Sequence, residues 1–423
     1  MFKSISISLS PNTEKDDILL ALSLLFQPQR WKVRENNSLL IEAKFKEYLR
    51  IKHASSFNSG RSALMAILNS LRLEDNDEVL LQAFTCNAAV NPIIWTGLKP
   101  VFVDVDDTLN LDSEDLKRKI TPRSKAVIVQ HNFGWPAKIE EISKTAKKNN
   151  LFLIEDCAHS LGARFKNRFC GTFGEAAFFS FGRDKIISSI FGGMAASNNE
   201  EIGERVKEFQ RKLDYPSNFW ISQQLLHPIL MNWKIIPSYA IHSFLGRITL
   251  GAFHQLSILS KAVYKKEKKG KIPPQFPKRF PNALAILALN QFRKLEKFNA
   301  HRREIADFYK KELKEFNLPL ARFQGGIEPT FMRYPILVKK ETSEILREAR
   351  KRKIYLDDGW RKSVVVPPDT DIRKMGYIFG SCPRAEEIAK SILNLPTHIN
   401  ISLEEAKKIV EFIKKYGDQR NSR

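Results

Sequence analysis

The sequence predicts an α/β protein: a largely parallel sheet with helices on both faces, followed by a smaller C-terminal α/β region. Two observations predict it. From Ala54 to about Glu204, short apolar runs alternate with helical patterns, the arrangement that builds parallel sheets. The runs are nearly continuous in their apolar character, as strands covered on both faces require. Length and composition agree: 423 residues with 43% hydrophobic and 27% charged side chains suit a folded, soluble chain of about two or three domains.

Taken in order, residues 1 to about 50 read as amphipathic helix and connection, with one helix opening at Asp16 and Asp17. A short strand is expected at 54–57, then buried strands at 78–81, 100–104, 126–130 and 151–154, with helices at 63–72 and 139–148 between them. Ligands of such sheets bind beyond the carboxyl ends of the strands, and Asp156 falls just past the strand ending at Ile154. Residues 205–281 read differently. The stretch 215–233 carries no Lys, Arg, Asp or Glu, yet Pro216, Asn218, Pro228 and the pair Gln223–Gln224 interrupt it. It is too broken for a membrane-spanning helix, which needs about 20 predominantly apolar residues. A second apolar stretch ends in Lys265, Lys266, Lys268 and Lys269. One reading places these helices at a subunit interface or over the active site. The other lays them on an anionic membrane surface. From Asn282 a long helix is expected to about Glu315, then a strand at 334–338 and a final helix at 403–415. The expected division is thus 1–204, 205–281 and 282–423.

The net charge is +22, which attracts nucleic acid, anionic lipid or phosphorylated substrates without choosing among them. Aromatic residues are not interleaved with the basic runs in a single-strand-binding pattern, so nucleic acid is not expected as a partner. The four cysteines, Cys86, Cys157, Cys170 and Cys382, show no CxxC spacing; this favours a reducing cytoplasm and predicts no metal site. The N-terminal segment Met1 to Ile5 lacks an apolar core, so no signal peptide is expected.

The chemistry concentrates around Lys185. Upstream of it lie Glu155-Asp156-Cys157-Ala158-His159 and Phe179-Ser180-Phe181, and earlier still Asn58-Ser59-Gly60-Arg61-Ser62 opens a helix. Transamination needs an amine that forms an imine with a cofactor aldehyde and later moves a proton. It needs a carboxylate to keep a pyridine nitrogen protonated, a group against the ring face, and backbone donors with hydroxyls for a phosphate. Lys185, Asp156, His159, and Gly60 with Ser180 supply these in that order. Singly, each has an ordinary explanation as a cap, a packing residue or a surface lysine. Their joint order within one α/β region points to pyridoxal 5'-phosphate.

Further segments carry a resemblance. The helix start Ser59-Gly60-Arg61, the run Pro100 to Asp106, Ile120-Thr121-Pro122, His131-Asn132-Phe133-Gly134-Trp135-Pro136, Glu155 to His159, Phe179 to Lys185, Cys382-Pro383-Arg384 and Asn394-Leu395-Pro396-Thr397-His398 resemble the motifs of the DegT/StrS aminotransferases. That family is of fold type I, with a mostly parallel seven-stranded sheet, and aminates keto sugars on nucleotide carriers. The resemblance implies Lys185 as the Schiff-base lysine, Asp156 as the pyridinium partner and His159 near the ring. It implies Ser180, Gly60 and Arg61 at the phosphate, the last two mainly through backbone. It also implies an amino-acid donor, glutamate in the family, a nucleotide-linked keto sugar as acceptor, and a homodimer with shared active sites.

Several positions depart from the family pattern. Arg61 stands where Thr or Ser is usual, and Cys86 where an aromatic ring often meets the cofactor, so Phe84 or another ring is expected to substitute. Residues 190–193 replace a GEGG turn. The stretch 277–280 lacks the Asn that family members send to the partner's phosphate, leaving Arg61 or Lys278 to replace that contact. Arg333 is read either as a substrate-binding cation or as a structural ion pair. Two other classes stay open: a different reaction on the same cofactor, and a non-catalytic regulatory or binding protein. Lys185 speaks against family dehydratases, which carry His there. No cysteine is flagged for desulfuration, and the first 50 residues look too short for a DNA-binding module.

Overall fold

The structure, a computed structural model, describes residues 4–32, 36–316 and 325–417; Met1 to Lys3 of the N-terminal segment read above lie outside them. Seven strands form the central sheet: β1 (His53–Phe57), β2 (Glu78–Gln82), β3 (Lys99–Val103), β4 (Ser124–Gln130), β5 (Phe152–Asp156), β6 (Ala176–Ser180) and β7 (Gly193–Ser197). Their spatial order is β1-β7-β6-β5-β4-β2-β3, with β7 antiparallel to both its neighbours and all other pairs parallel. Two more strands, β8 (Arg333–Leu337) and β9 (Ile392–Pro396), pair antiparallel in the C-terminal region.

Helices cover both faces, as continuous apolar strands demand. They are α1 (Lys15–Leu25), α2 (Asn37–Leu49), α3 (Gly60–Ser70), α4 (Asn87–Trp95), α5 (Ser113–Lys119), α6 (Ile139–Lys148) and α7 (Glu200–Lys212). In α6 the stripe Ile139, Ile142 and Ala146 is buried, with Glu140 and Glu141 in the first turn and Lys147 and Lys148 in the last; both ends suit the helix dipole. One core, with Ile67, Val79 and Ile128, lies on one side of the sheet, and another, with Phe45, Phe179 and Leu284, on the other. Helix α7 runs through residue 204 and packs against α3.

Residues 218–255 form three helices, α8 (Asn218–Leu230), α9 (Ile236–Ile241) and α10 (Ser243–Gln255), with a π-helical turn at Met231–Ile235. Pro228 and Pro237 bracket that turn. Each removes a backbone donor, so the helical ladder loosens between them. This segment packs on the C-terminal region: Tyr239 meets Tyr355 at 5.1 Å between ring centroids, and the Tyr355 hydroxyl donates to Tyr239 O at 2.9 Å. No helix among the described residues is long and apolar enough to cross a membrane.

The remaining helices are α11 (Asn282–Phe292), α12 (Leu295–Glu312), α13 (Thr342–Lys351), α14 (Pro383–Ser391) and α15 (Leu403–Tyr416). The single long helix expected after Asn282 is therefore two. The break falls at Arg293–Lys294, where Lys294 Nζ reaches Glu14, Asp16 and Asp17 at the start of α1. Asp156 likewise lies inside β5 as its last residue, paired with Gln130 of β4 and Phe178 of β6, and not beyond the strand.

Candidate active site

A cavity of about 380 Å³ opens at the carboxyl ends of β4, β5 and β6, where Gln130, Asp156, Phe178 and Ser180 reach it. Lys185 enters from the loop after β6. Its Nζ lies 3.0 Å from His159 Nε2 and 3.8 Å from Asp184 Oδ1. The backbone of that loop is held from far away: Lys185 O accepts from Asn12 Nδ2, while the buried Arg302 donates to Asn12 Oδ1 at 2.7 Å and to Ile186 O at 3.0 Å.

His159 is fully packed. Phe133 stacks on it at 5.7 Å and 11°, and Trp360 meets it edge-on at 5.0 Å. Burial, reinforced by the charges of Lys185 and Arg333, holds its pKa well below the usual histidine value, so the ring is neutral. Nδ1 lies 3.3 Å from the Phe133 N–H, and Nε2 faces Lys185. Asp156 is buried at the cavity floor, where one oxygen accepts the Ala158 N–H at 2.9 Å. Burial pushes its carboxyl up to about 6, opposed by that hydrogen bond and by Lys185. Among the described residues no cation pairs with it directly, so the pocket presents an acid waiting for a charged donor.

The opposite wall is the start of α3. Ser59 caps the helix, its Oγ accepting Ser62 N–H at 3.1 Å, and the Gly60 and Arg61 backbone lines the cavity beside Ser180. A Cβ on Gly60 would lie 3.2 Å from Ser180 Cβ, and one on Gly193 would strike Ser59 C at 2.4 Å. The two glycines thus let α3, β6 and β7 converge on one small cradle with free N–H groups, an arrangement suited to phosphate.

The Arg61 side chain turns away from the cradle: Nε pairs with the fully buried Glu267 at 2.5 Å and Nη2 donates to Ala262 O at 2.9 Å, so its charge is already matched. Lys278 pairs with Asp214 at 3.5 Å and does not line this cavity. The Arg61 side chain therefore adds no free cation to the cradle of its own chain. The 275–278 segment instead packs against this chain's own Asn58, which exchanges backbone and side-chain hydrogen bonds with Gln275 and Lys278. Phe84 is fully buried under Phe133 and Trp360 and does not reach the cavity; Trp360 does. Cys86 lines the cavity, but its Sγ caps α4 through Ala88 N–H at 3.5 Å and burial pushes its thiol up, which disfavours a nucleophilic role. Arg333 is buried in an ion-pair clamp with Asp184 and Asp358, the latter at 2.9 Å, and does not line the cavity. It is a positioning residue between the lysine loop and the Trp360 loop, whose Trp360 N–H donates to Asp358 at 2.9 Å.

Asn12, Arg302 and Trp360 were not found in the sequence. Each acts across hundreds of residues of chain, and no local pattern marks them. The buried trio His131, Glu155 and Cys157 is also drawn together. Both His131 nitrogens are engaged, by Glu155 at 3.1 Å and Ala137 N–H at 3.0 Å, while Glu155 also accepts the N–H groups of Gly171, Phe173 and Gly174. Its work is to fix the turn that leads into β6.

A seven-stranded sheet of this order, with a small α/β region closing the cavity, defines a fold type I pyridoxal-phosphate enzyme. The chain belongs to the DegT/DnrJ/EryC1/StrS aminotransferase family, whose model matches residues 12–220 and 252–414. It is 27% identical over 377 residues to a GDP-perosamine synthase of Escherichia coli O157:H7, covering 89% of this chain and 88% of that one. It is 26% identical over 405 residues to a UDP-N-acetyl-3-dehydro-α-D-glucosamine 3-aminotransferase of Acidithiobacillus ferrooxidans, covering 95% and 94%. In fold it is similar to PseC of Helicobacter pylori, an aminotransferase of pseudaminic acid biosynthesis, with TM-score 0.74, 24% identity and coverage of 98% and 99%. Pyridoxal 5'-phosphate is the family's cofactor, and the unpaired buried carboxylate of Asp156, the Gly60 cradle and the Lys185 amine fit it.

Proposed function

We propose that this aminotransferase moves an amino group from an amino-acid donor, glutamate in our reading, to a keto sugar on a nucleotide carrier. The donor leaves as its 2-oxo acid and the sugar as its amine. The observation that carries the site assignment is Lys185 Nζ, 3.0 Å from the neutral His159 ring in one cavity with the buried Asp156. When bound, pyridoxal phosphate supplies an aldehyde for the donor amine and a ring that accepts electrons. Lys185 would hold the cofactor, and its Nζ, when free, would take the proton from the donor α-carbon and return one to the sugar carbon in the second half. Asp156 would keep the ring nitrogen protonated by charge pairing. His159 would hold the ring face, and the α3 N–H groups with Ser180 would bind phosphate. The names of the relatives support a nucleotide-borne sugar. The purified protein with cofactor should be yellow, and Lys185→Ala should lose both that visible band and turnover. Colourless wild-type protein that gains no band with added cofactor would sink the proposal.

The family resemblance further supports a homodimer, which sedimentation velocity checks directly. A second reading concerns the segment the family model leaves unmatched. Trp233, Ile241, Phe244, Leu245 and Ile248 stand 41–69% exposed there, beside Arg247 and in a chain of charge +22. Exposed apolar groups with basic neighbours support peripheral contact with an anionic membrane surface. Phe244→Glu should then abolish sedimentation with anionic vesicles at low salt, and wild-type protein that stays in the supernatant would remove this reading.

A further inference from the structure

Three buried nitrogens stand without partners in one wall of the active-site cavity. They are Arg183 Nε, His227 Nδ1 and His254 Nε2, and none has a hydrogen-bond partner among the described residues. All three side chains line the cavity that holds Lys185. Arg183 is set in place: Nη2 donates to Ser260 O and Oγ, each at 2.7 Å, Ser260 Oγ donates to Gln224 at 2.8 Å, and the guanidinium lies 5.5 Å over the Phe191 ring. No acidic side chain among the described residues pairs with any of the three. The nearby carboxylates are committed, Asp184 and Asp358 to Arg333 and Glu267 to Arg61. Burial holds both histidine pKa values below the usual one, so the imidazoles are neutral and lack only hydrogen-bond partners, whereas a buried guanidinium without a counter-charge is unfavourable unless a ligand supplies one.

His254 also lines a second cavity, of about 980 Å³, so the two spaces meet at this side chain. The second cavity is strongly basic. Lys32, Lys261, Lys265, Lys266 and Lys278 border it against the single acid Asp214, and the exposed ring of Phe219 offers a stacking face. Of the three, His227 falls in 221–251, outside the residues that match the family model, while Arg183 and His254 lie within them.

We infer that the two cavities form one substrate channel, with Arg183, His227 and His254 binding the diphosphate of a nucleoside-diphosphate substrate and the lysine-lined cavity taking its nucleoside end. The sugar then points toward Lys185. The guanidinium meets phosphate oxygens through paired N–H donors, and the lysines add a screened, sequence-independent attraction. This inference rests on the aminotransferase reading above and adds the place and chemistry of the nucleotide.

The test is calorimetric titration of the cofactor-loaded protein with GDP and UDP, and separately with 2-oxoglutarate, alongside a spectral titration of cofactor affinity. His227→Gln, Arg183→Gln and the surface variant Lys265→Glu/Lys266→Glu should each weaken at least one nucleoside diphosphate about tenfold or more. Cofactor affinity and 2-oxoglutarate binding should stay within about threefold. The lysine variant sits on exposed side chains and keeps the test available should Arg183→Gln fail to fold. Wild-type protein that binds neither nucleotide overturns the inference, as does unchanged nucleotide affinity in the variants. Weakening of 2-oxoglutarate alone would reassign the trio to the donor carboxylate, and weakening of cofactor alone to the phosphate cradle; both overturn it. If the cofactor site on which that reading stands fails, wild-type protein never takes up the cofactor, and if only the amino transfer fails, loaded protein shows no spectral change with an amino-acid donor; both outcomes are seen before any nucleotide is added.

Discussion

His159 turns Nδ1 toward the Phe133 N–H and Nε2 toward Lys185. Asp156 invites a sharper prediction because burial pushes its carboxyl up to about 6. The folded value exceeds the unfolded one, so in cofactor-free protein its contribution to stability is fully present below about pH 4 and is lost as pH rises through about 6. The unfolding free energy of wild-type apoprotein, minus that of Asp156→Asn, should therefore fall by up to about 3 kcal/mol between pH 4 and 7. Denaturant titrations across that range check it, and a flat difference would reject it. Added cofactor should erase the slope, since a ring N–H then pairs with the carboxylate. Lys185, Asp156, His159, Ser180 and Gly60 were legible in the sequence because each lies within a few residues of a strand end or helix start. Trp360 and Asn12 were not. They arrive by long-range packing, where periodicity and capping give no signal.

Among the elements, the Arg333 side chain joins the lysine loop to β8. Arg333 at its first position pairs with Asp184, the neighbour of Lys185, and with Asp358 beside Trp360. Removing it leaves the buried Asp358 and the half-buried Asp184 without their shared cation. Arg333→Met should cost about 3–5 kcal/mol of stability, and Arg333→Lys should recover only part, because an ammonium cannot bridge both acids in the same fork. Thermal unfolding measures the first effect. An Arg333→Met protein as stable as the wild type would mean the clamp is dispensable. The sequence left open whether Arg333 met substrate or a structural partner, since both acids lie far off in the chain. Element types were easier to read than their ends. The 139–148 helix appears as expected, because its apolar period and charged termini are local. The pause at Arg293–Lys294 carries no Gly or Pro, and it depends on α1 packing alongside.

For the whole molecule, the alternation of apolar runs and helices was enough to foresee a parallel sheet, but it left open how residues 218–255 would fold. Their apolar side chains lie on two faces, one packed inward with Tyr355, the other exposed at Phe244 and Ile248. The excess of 69 Lys and Arg over 47 Asp and Glu, +22, is likewise readable without a structure, yet only the structure shows part of it gathered around the second cavity. That placement has a kinetic consequence. A substrate carrying a diphosphate is drawn toward a basic mouth by a field that extends about 10 Å at 0.1 M salt and about 30 Å at 0.01 M. Raising salt from about 0.01 to about 0.2 M should lower kcat/KM for the nucleotide sugar several-fold, chiefly through KM. The half-reaction with a small amino-acid donor should respond far less, having no diphosphate to steer. Lys265→Glu/Lys266→Glu should flatten the nucleotide-sugar slope while leaving the donor half-reaction unchanged. Stopped-flow single turnovers of each half-reaction across a salt series measure both slopes; equal slopes, or a slope indifferent to the lysine reversal, would show that the basic surface does not serve the substrate.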